Sequence, residues 1–246
     1  MQIAYFVNKK LQIYQLSLFL HFIYSPMNPP ISDMLALGRQ LRCPEGPLAR
    51  EVADYIFASN EHMIRQTIDR LRLTSGERIL EVGFGNGNHL SYLFAQGKNL
   101  QYTGVELSNE LISLAEERHT SLIEQEKVAF LKAEGERIPK FPSETFEVFF
   151  SVNTYYFIQD LKGYLVQLYP LLTQGGRFAL GYIDKDFGER MPFTKEVFTF
   201  HTNEALGQMI LGAGFSSLEI ASFTEEIVGK GGRKVLRPFH IATAIK

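Results

Sequence analysis

Cysteine is almost missing from this chain of 246 residues: Cys43 stands alone, so no disulfide framework can form within it. No set of cysteines and histidines has the spacing of a structural zinc site. The basic excess with which nucleic-acid binders displace counterions is missing too. There are 25 Lys and Arg against 27 Asp and Glu, a net charge of −2 and a pI of about 6.3. That balance leaves room only for a local basic patch, and no nucleic-acid partner is expected. No apolar run reaches the roughly 20 residues of a membrane-spanning helix, so no stable membrane insertion is expected. These absences fit a reducing, cytoplasmic setting. What is present is 45% hydrophobic and 13% aromatic residues with 21% charged ones. That is the composition of a soluble globular domain with a large core.

The first 26 residues stand apart, with two lysines, Lys9 and Lys10, and no acidic residue. Ten of the fourteen residues at 11–24 are apolar or aromatic. A basic flank before an apolar run is loosely signal-like, yet no small-x-small cleavage site follows, and Gln12, Gln15 and His21 interrupt the run. Three readings stay open: a start-site artefact with translation beginning at Met27, a docking helix or strand, and a targeting segment. The expected organisation is an extension at 1–26, a helical cap at 27–76 and a main domain at 77–246.

Beyond the extension, strands and helices alternate. Helices are expected at 47–58 and, with Asn60 as N-cap, at 60–73. A strand at 78–82 runs into glycines 83–87 and a helix at 88–95. Further strands fall at 102–107, 128–131, 146–152 and 177–183. Helices fall at 109–119, 160–172 and 204–211, the second ended by Gln174-Gly175-Gly176 as a left-handed cap and the third begun by Thr202. Strands at 215–223 and 236–245 flank a glycine-rich, basic turn with Gly229, Gly231, Gly232, Lys230, Arg233 and Lys234. Strand–helix–strand repetition implies parallel strands with helical crossovers, and the closing hairpin adds an antiparallel strand.

The chemistry concentrates at Glu81-Val82-Gly83-Phe84-Gly85-Asn86-Gly87. A strand, three alternating glycines and a helix make a ligand cradle, because glycines allow sharp turns and close backbone approach. Helix-terminal N–H groups there favour anions. Glu106 follows Gly87 by 19 residues at the end of the second strand, where a carboxylate can accept ribose hydroxyls. Together they describe an adenosine site. The dinucleotide spacing G-x-G-x-x-G is not met, since its third glycine falls on Asn88.

The G-x-G-x-G spacing resembles motif I of the class I S-adenosylmethionine-dependent methyltransferases. Further parts of about 38–246 follow that family in order. Glu106-Leu107-Ser108 is similar to its ribose motif, and Ala133-Glu134-Gly135-Glu136-Arg137-Ile138-Pro139 to its G-D-A-x-x-L-P loop. Phe146-Glu147-Val148 stands for F-D-V, Leu172-Thr173-Gln174-Gly175-Gly176-Arg177 for L-x-P-G-G-x, and Ala213-Gly214-Phe215 for A-G-F. The departures, Glu134 and Glu147 for Asp and Ala133 for Gly, keep charge or small size. The resemblance implies a Rossmann-like α/β fold: a seven-stranded, mostly parallel sheet with helices on both faces and an antiparallel terminal strand. It implies S-adenosylmethionine as cofactor. Glu81 would orient the methionine amino group, and Gly83, Gly85 and Gly87 would pass beneath methionine and ribose. Glu106 and Leu107 would hold ribose, Glu134, Gly135 and Glu136 would lie beside adenine, and Asn153 near the sulfonium.

The acceptor is expected to be a small molecule, apolar or aromatic. It would sit between the helices of 38–73, the segment 153–157 and the excursion 184–203. Tyr155, Tyr156, Phe187, Phe193, Phe198 and Phe200 would line its pocket. The charged segment 184–190 reads as a solvated loop or a lid. His89 reads as a solvated first-turn residue. His201 reads as an N-cap neighbour or a general base. A nicotinamide-dependent oxidoreductase and a non-catalytic adenosine-binding module remain alternatives on residue pattern alone.

Overall fold

The computed structural model describes residues 34–133, 137–228 and 234–246. The expectations for the extension at 1–26, for Glu134, Gly135 and Glu136, and for the turn at 229–232 lie outside the described residues.

Seven strands form one sheet: β1 (Arg78–Val82), β2 (Gln101–Glu106), β3 (Val128–Lys132), β4 (Phe146–Val152), β5 (Leu172–Ile183), β6 (Ser216–Val228) and β7 (Lys234–Ile245). Their order is β3-β2-β1-β4-β5-β7-β6, with β1 to β5 parallel and β7 antiparallel to both neighbours. Eight helices accompany them among the described residues: α1 (Met34–Arg42), α2 (Ala49–Leu71), α3 (Leu90–Phe94), α4 (Asn109–Arg118), α5 (Thr120–Glu124), α6 (Leu161–Leu168), α7 (Lys185–Glu189) and α8 (Asn203–Gly212). The Rossmann-like α/β expectation is therefore met.

Alternation along the strands sorts the core into two layers. Leu80, Phe149, Phe178 and Ala242 face α6 and α8, where Leu161, Leu165, Leu168, Leu206 and Ile210 cover them. Their neighbours Ile79, Phe150, Ala179 and Ile241 face α2, α3 and α4 through Met63, Ile68, Leu90, Leu93 and Ala115. The inner strands β1, β4, β5 and β7 present apolar residues to both layers, as a sheet covered on both faces requires. From β1 the chain runs outward through β2 and β3, then returns to β4 on the other side. The carboxyl ends of β1 and β4 thus flank the switch point where such sheets open a crevice.

Several local expectations give way. Residues 49–71 form one unbroken helix, with no proline or glycine to interrupt it. Asn60 caps nothing; its Oδ1 accepts a hydrogen bond from Arg237 of β7 at 3.0 Å. α6 stops at Leu168, a 3-10 turn carries Pro170, and β5 starts at Leu172. Proline lacks an N–H and disfavours helix just before it, so the helix ends ahead of the glycines. Gly175, at φ +74°, instead lies in the bulge where β5 pairs irregularly with β4. The segment after β5 is not a bare loop: Asp184 caps α7 by accepting from the Phe187 N–H at 3.0 Å. The closing hairpin is longer than its pattern suggested. Beyond the last β5 pair, Ile183 with Phe239, β6 and β7 stay paired out to Val228 and Lys234. They rise as a two-stranded ribbon past the carboxyl edge of the sheet.

The continuity of α2 is testable at Glu61. Were Asn60 an N-cap, proline at 61 would occupy the favoured first helical position. In a helix interior it costs about 3 kcal/mol or more. Glu61→Pro is expected to lower the unfolding free energy by that amount in urea titration. An unchanged midpoint would contradict the unbroken helix.

Candidate active site

β1 ends at Val82 and turns through Gly83, whose φ of +77° belongs to the left-handed region. A Cβ on Gly83 would overlap the Thr154 methyl, so side chain is excluded by space as well as by backbone. Thr154 is fixed in turn by Ser151, whose Oγ hydrogen-bonds both Thr154 Oγ1 and the Val82 carbonyl. Gly85 has open space where a Cβ would stand, on the cavity side of the turn.

Two carboxylates close in on this turn from β1 and β2. Glu81 is buried, and its Oε2 accepts from Tyr102 Oη at 2.5 Å and from His89 Nε2–H at 2.7 Å. His89 is thus no solvated first-turn residue; it is 3% exposed, its ring edge-on to Phe150. Burial and the neighbouring carboxylate push the Tyr102 phenol well above its ordinary pKa, which keeps it a donor. Glu106 takes three backbone N–H groups: Gly85 at 3.1 Å on Oε2, Leu107 at 2.6 Å and Ser108 at 3.2 Å on Oε1. A carboxylate has about four lone-pair positions, so about one is left, on Oε2. Burial raises the Glu106 pKa, the three N–H groups pull it back, and Glu81 adds to the rise.

Three further side chains brace the turn. Asn86 Nδ2 donates to Asp54 of α2 at 2.9 Å, and Arg118 Nη1 of α4 donates to the Asn86 carbonyl at 2.7 Å. His119 Nε2–H donates to the Gly87 carbonyl at 2.8 Å, which sets its tautomer, and burial lowers its pKa. Gly87 itself does not line the cavity; its φ is +70° and a Cβ there would press on Ala115 and the His119 ring at 3.3 Å. Asn153 follows β4 in the left-handed conformation, φ +57°. Its N–H donates to the Gly181 carbonyl and its Oδ1 accepts from the Ile183 N–H, which pins it between β4 and β5.

These residues open onto a cavity of about 700 Å³, within the range of about 300–1,000 Å³ typical of small-molecule sites. Glu81, Gly83, Gly85, Glu106, Leu107 and Asn153 all line it. From there an apolar wall extends through Leu37, Leu41, Ile56 and Phe57 of the N-terminal helices. Tyr156 and Phe157 continue it after β4, and Phe187, Met191, Phe193 and Phe198 after β5. The expected ring of aromatics is met at Tyr156, Phe187, Phe193 and Phe198 and fails at two positions. Tyr155 is core: 1% exposed and edge-on to Tyr182, it accepts the His201 N–H on Oη, and burial pushes its pKa up to about 12. Phe200 packs on Gly188 and does not reach the cavity. His201 lies behind Tyr155 and is likewise absent from the lining. At the far end stand His62, Glu225 and Arg237, which the sequence reading passed over, and Asn60, which it read only as a helix cap. Glu225 and Arg237 pair directly across the hairpin, so the signal was opposite charge at mirrored positions about the glycine turn. Among the described residues no group of side chains could hold a metal ion, and no helix is long and apolar enough to cross a membrane.

The profile of a family described as "Methyltransferase domain" matches residues 80–180. The uncharacterized methyltransferase YdaC of Bacillus subtilis is 30% identical over 130 residues, 52% of this chain and 69% of YdaC. Phosphoethanolamine N-methyltransferase 3 of Arabidopsis thaliana is 27% identical over 172 residues, but the match spans only 34% of its length. The fold is shared with phosphoethanolamine N-methyltransferase 2 of Haemonchus contortus, solved with phosphomonomethylethanolamine and S-adenosylhomocysteine. That likeness has a TM-score of 0.64 at 14% identity, covering 92% of this chain and 66% of the other.

The buried cluster beneath the turn is open to a direct check. Tyr102→Phe removes one donor from the Glu81 carboxylate and little else. A hydrogen bond to a charged group contributes about 1.5–3 kcal/mol. The variant is expected to lose that much stability in urea titration at neutral pH; a loss below about 0.5 kcal/mol would show that Glu81 does not depend on the phenol.

Proposed function

The chain belongs to the class I S-adenosylmethionine-dependent methyltransferases, and we propose that it methylates a small, largely apolar or aromatic molecule held in the cavity beside the glycine turn. Membership sets aside the nicotinamide reading that the residue pattern had left open. One observation carries the proposal: the turn and the aromatic wall line one continuous cavity, so donor and acceptor would meet without a separate recognition domain.

The residues present fit the donor. Glu81 and Glu106 give two buried acceptors beside a glycine-rich turn, and Gly85, with open space where a Cβ would stand, lines the same cavity. S-adenosylmethionine supplies a methyl group already activated by its sulfonium charge. In this reading Glu81, held by Tyr102 and His89, orients the methionine ammonium, and Gly83 and Gly85 let the ligand lie against the backbone. Glu106 accepts a ribose hydroxyl on its remaining lone pair; taking both hydroxyls requires the Gly85 N–H to let go. Leu107 packs beside the ribose, and Asn153 stands at the sulfonium end. Glu134, Gly135 and Glu136 are assigned to adenine by resemblance. Gly87 serves the turn through its packing on His119 rather than through ligand contact. The protein's contribution to rate is then alignment and exclusion of water by the apolar wall.

Glu106 makes cofactor binding depend on pH. Its folded pKa is raised, so the ionised form is disfavoured in the ligand-free protein, and the stability it confers is lost as pH rises through that value. A ribose hydroxyl donates more strongly to the ionised form than to the protonated one. S-adenosylhomocysteine is therefore expected to bind more tightly as pH rises from about 4.5 through the raised value, with proton release in that window. Calorimetry in two buffers of different ionisation enthalpy measures both. Affinity that falls with rising pH would remove Glu106 from the ribose.

The acceptor is found by incubating the protein with methyl-labelled S-adenosylmethionine and fractionated metabolites. Label is expected in an apolar or aromatic product. Tyr156→Ala should cut that transfer by about tenfold or more, roughly 1.4 kcal/mol, while leaving S-adenosylhomocysteine affinity within about twofold. Equal loss of both would place Tyr156 at the cofactor instead.

A further inference from the structure

The far end of the cavity gathers charge that methyl transfer at the glycine turn does not use. Glu225 of β6 and Arg237 of β7 are cross-strand partners with side chains 5% and 8% exposed. Arg237 Nε donates to Glu225 Oε1 at 2.8 Å, and Nη2 lies 2.6 Å from the same oxygen as an ion pair. Nη2 also donates to the Ser59 carbonyl at 2.6 Å, and Nη1 to Asn60 Oδ1 at 3.0 Å. His62 Nδ1 lies 2.9 Å from Glu225 Oε2. All five residues line the cavity.

Anchoring the ribbon to α2 does not call for this cluster. Buried ion pairs are weak glue, often replaceable by apolar side chains without loss. The strand that carries Arg237 is already anchored at the base of the ribbon by Phe239 and Ile241, both fully buried in the layer under α2. What the cluster leaves unspent is hydrogen-bond donors. A guanidinium has five N–H groups, and three of Arg237's make these hydrogen bonds. The Asn60 amide still has its N–H groups. With Nδ1 turned to Glu225, His62 keeps Nε2 for a ligand, as a donor when protonated. The surrounding charges cancel in pairs: Glu225 with Arg237, Glu226 with Lys234, and Glu61 with Arg65. Among the described residues, the carboxylates beside the cluster are thus each compensated by a cation.

Distance says which part of an acceptor reaches this end. Asn153 follows β4, whereas Arg237 is on β7, two strand spacings across and about three residues further up the ribbon. At about 4.8 Å per strand and 3.3 Å per residue the separation is on the order of 10–15 Å. A group in methyl transfer must lie within about 3.5 Å of its partner. The cluster therefore cannot serve the reacting atom; it can hold only the opposite end of the same molecule.

We propose that Arg237, Asn60 and His62 form a subsite for an oxyanion, a carboxylate or a phosphate, carried by the acceptor at the far end of an apolar body from the methylated atom. This rests on reading the cavity as the acceptor site of a methyltransferase. Glu225 is its positioning residue: it holds Arg237 and sets the His62 tautomer.

The test uses four probes with one phenylhexyl body and different heads: phenylhexanoate, phenylhexyl phosphate, phenylhexanamide and phenylhexylamine. Each is titrated calorimetrically into the protein saturated with S-adenosylhomocysteine. At least one anion is expected to bind about tenfold or more tightly than the amide, the range of a charge-assisted hydrogen bond. The tighter anion identifies the head group, and the amine should bind no better than the amide. In the Asn60→Ala, His62→Gln double variant the anion's advantage should shrink to within about threefold while amide affinity holds, which shows the fold and the apolar wall intact. Amide or amine binding as tightly as both anions would overturn the subsite, as would an anion advantage that survives the double variant. Failure of the protein to bind S-adenosylhomocysteine would instead strike the methyltransferase reading of the cavity.

Discussion

β1 and β2 lie side by side and each delivers a glutamate to the carboxyl edge of the sheet, where neither carboxylate can be left without donors. Leaving a buried charge unpaired costs several kcal/mol. The solution to that constraint shapes the centre of the molecule. Glu106 draws the Gly85 N–H across the turn and takes two more from the start of α4. Glu81 draws a phenol and an imidazole up from beneath the turn. The turn is thereby held in one shape from both sides before any ligand arrives, and the remaining acceptor capacity faces a cavity. Preorganisation of this kind reduces the ordering cost of binding.

The acceptor half of the cavity follows from length mismatches. α2 is one helix of 23 residues, longer than the strands it crosses, so its N-terminal half overshoots the sheet and becomes a wall. β6 and β7 overshoot on the same side and bring Glu225 and Arg237 against that helix. Between them, the segment after β5 is stitched to the turn after β4 by the Thr199 N–H on the Tyr156 carbonyl. α1 closes the side by packing Gly38 against the Phe193 backbone. The result is an apolar sleeve with a carboxylate-rimmed turn at one end and a donor-rich cluster at the other.

Legibility in the sequence tracked how local the governing interaction is. The strands around the glycine turn could be read because their apolar residues alternate between two buried layers, and the turn because its glycines answer to backbone geometry. Asn60 misled because its N-cap chemistry is real but its partner, Arg237, is 177 residues away. Gly175 and Gly176 misled because a glycine serves a bulge as well as a cap, and Pro170 had already ended the helix. His89 looked solvated because nothing nearby reveals that Glu81, eight residues earlier, would draw it inward. Tyr155 and Tyr156 are adjacent and chemically alike; which faces the cavity depends on a single 3-10 turn that sequence does not reveal.

The turn is set before the ligand binds, and amide hydrogen exchange on the ligand-free protein tests this most directly. The amides of Gly85, Leu107 and Ser108, which donate to Glu106, are predicted to exchange slowly without ligand, with little added protection from S-adenosylhomocysteine at Leu107 and Ser108. Fast exchange at all three amides in the free protein, with protection appearing only on ligand binding, would mean that the ligand and not the pair of glutamates builds the site.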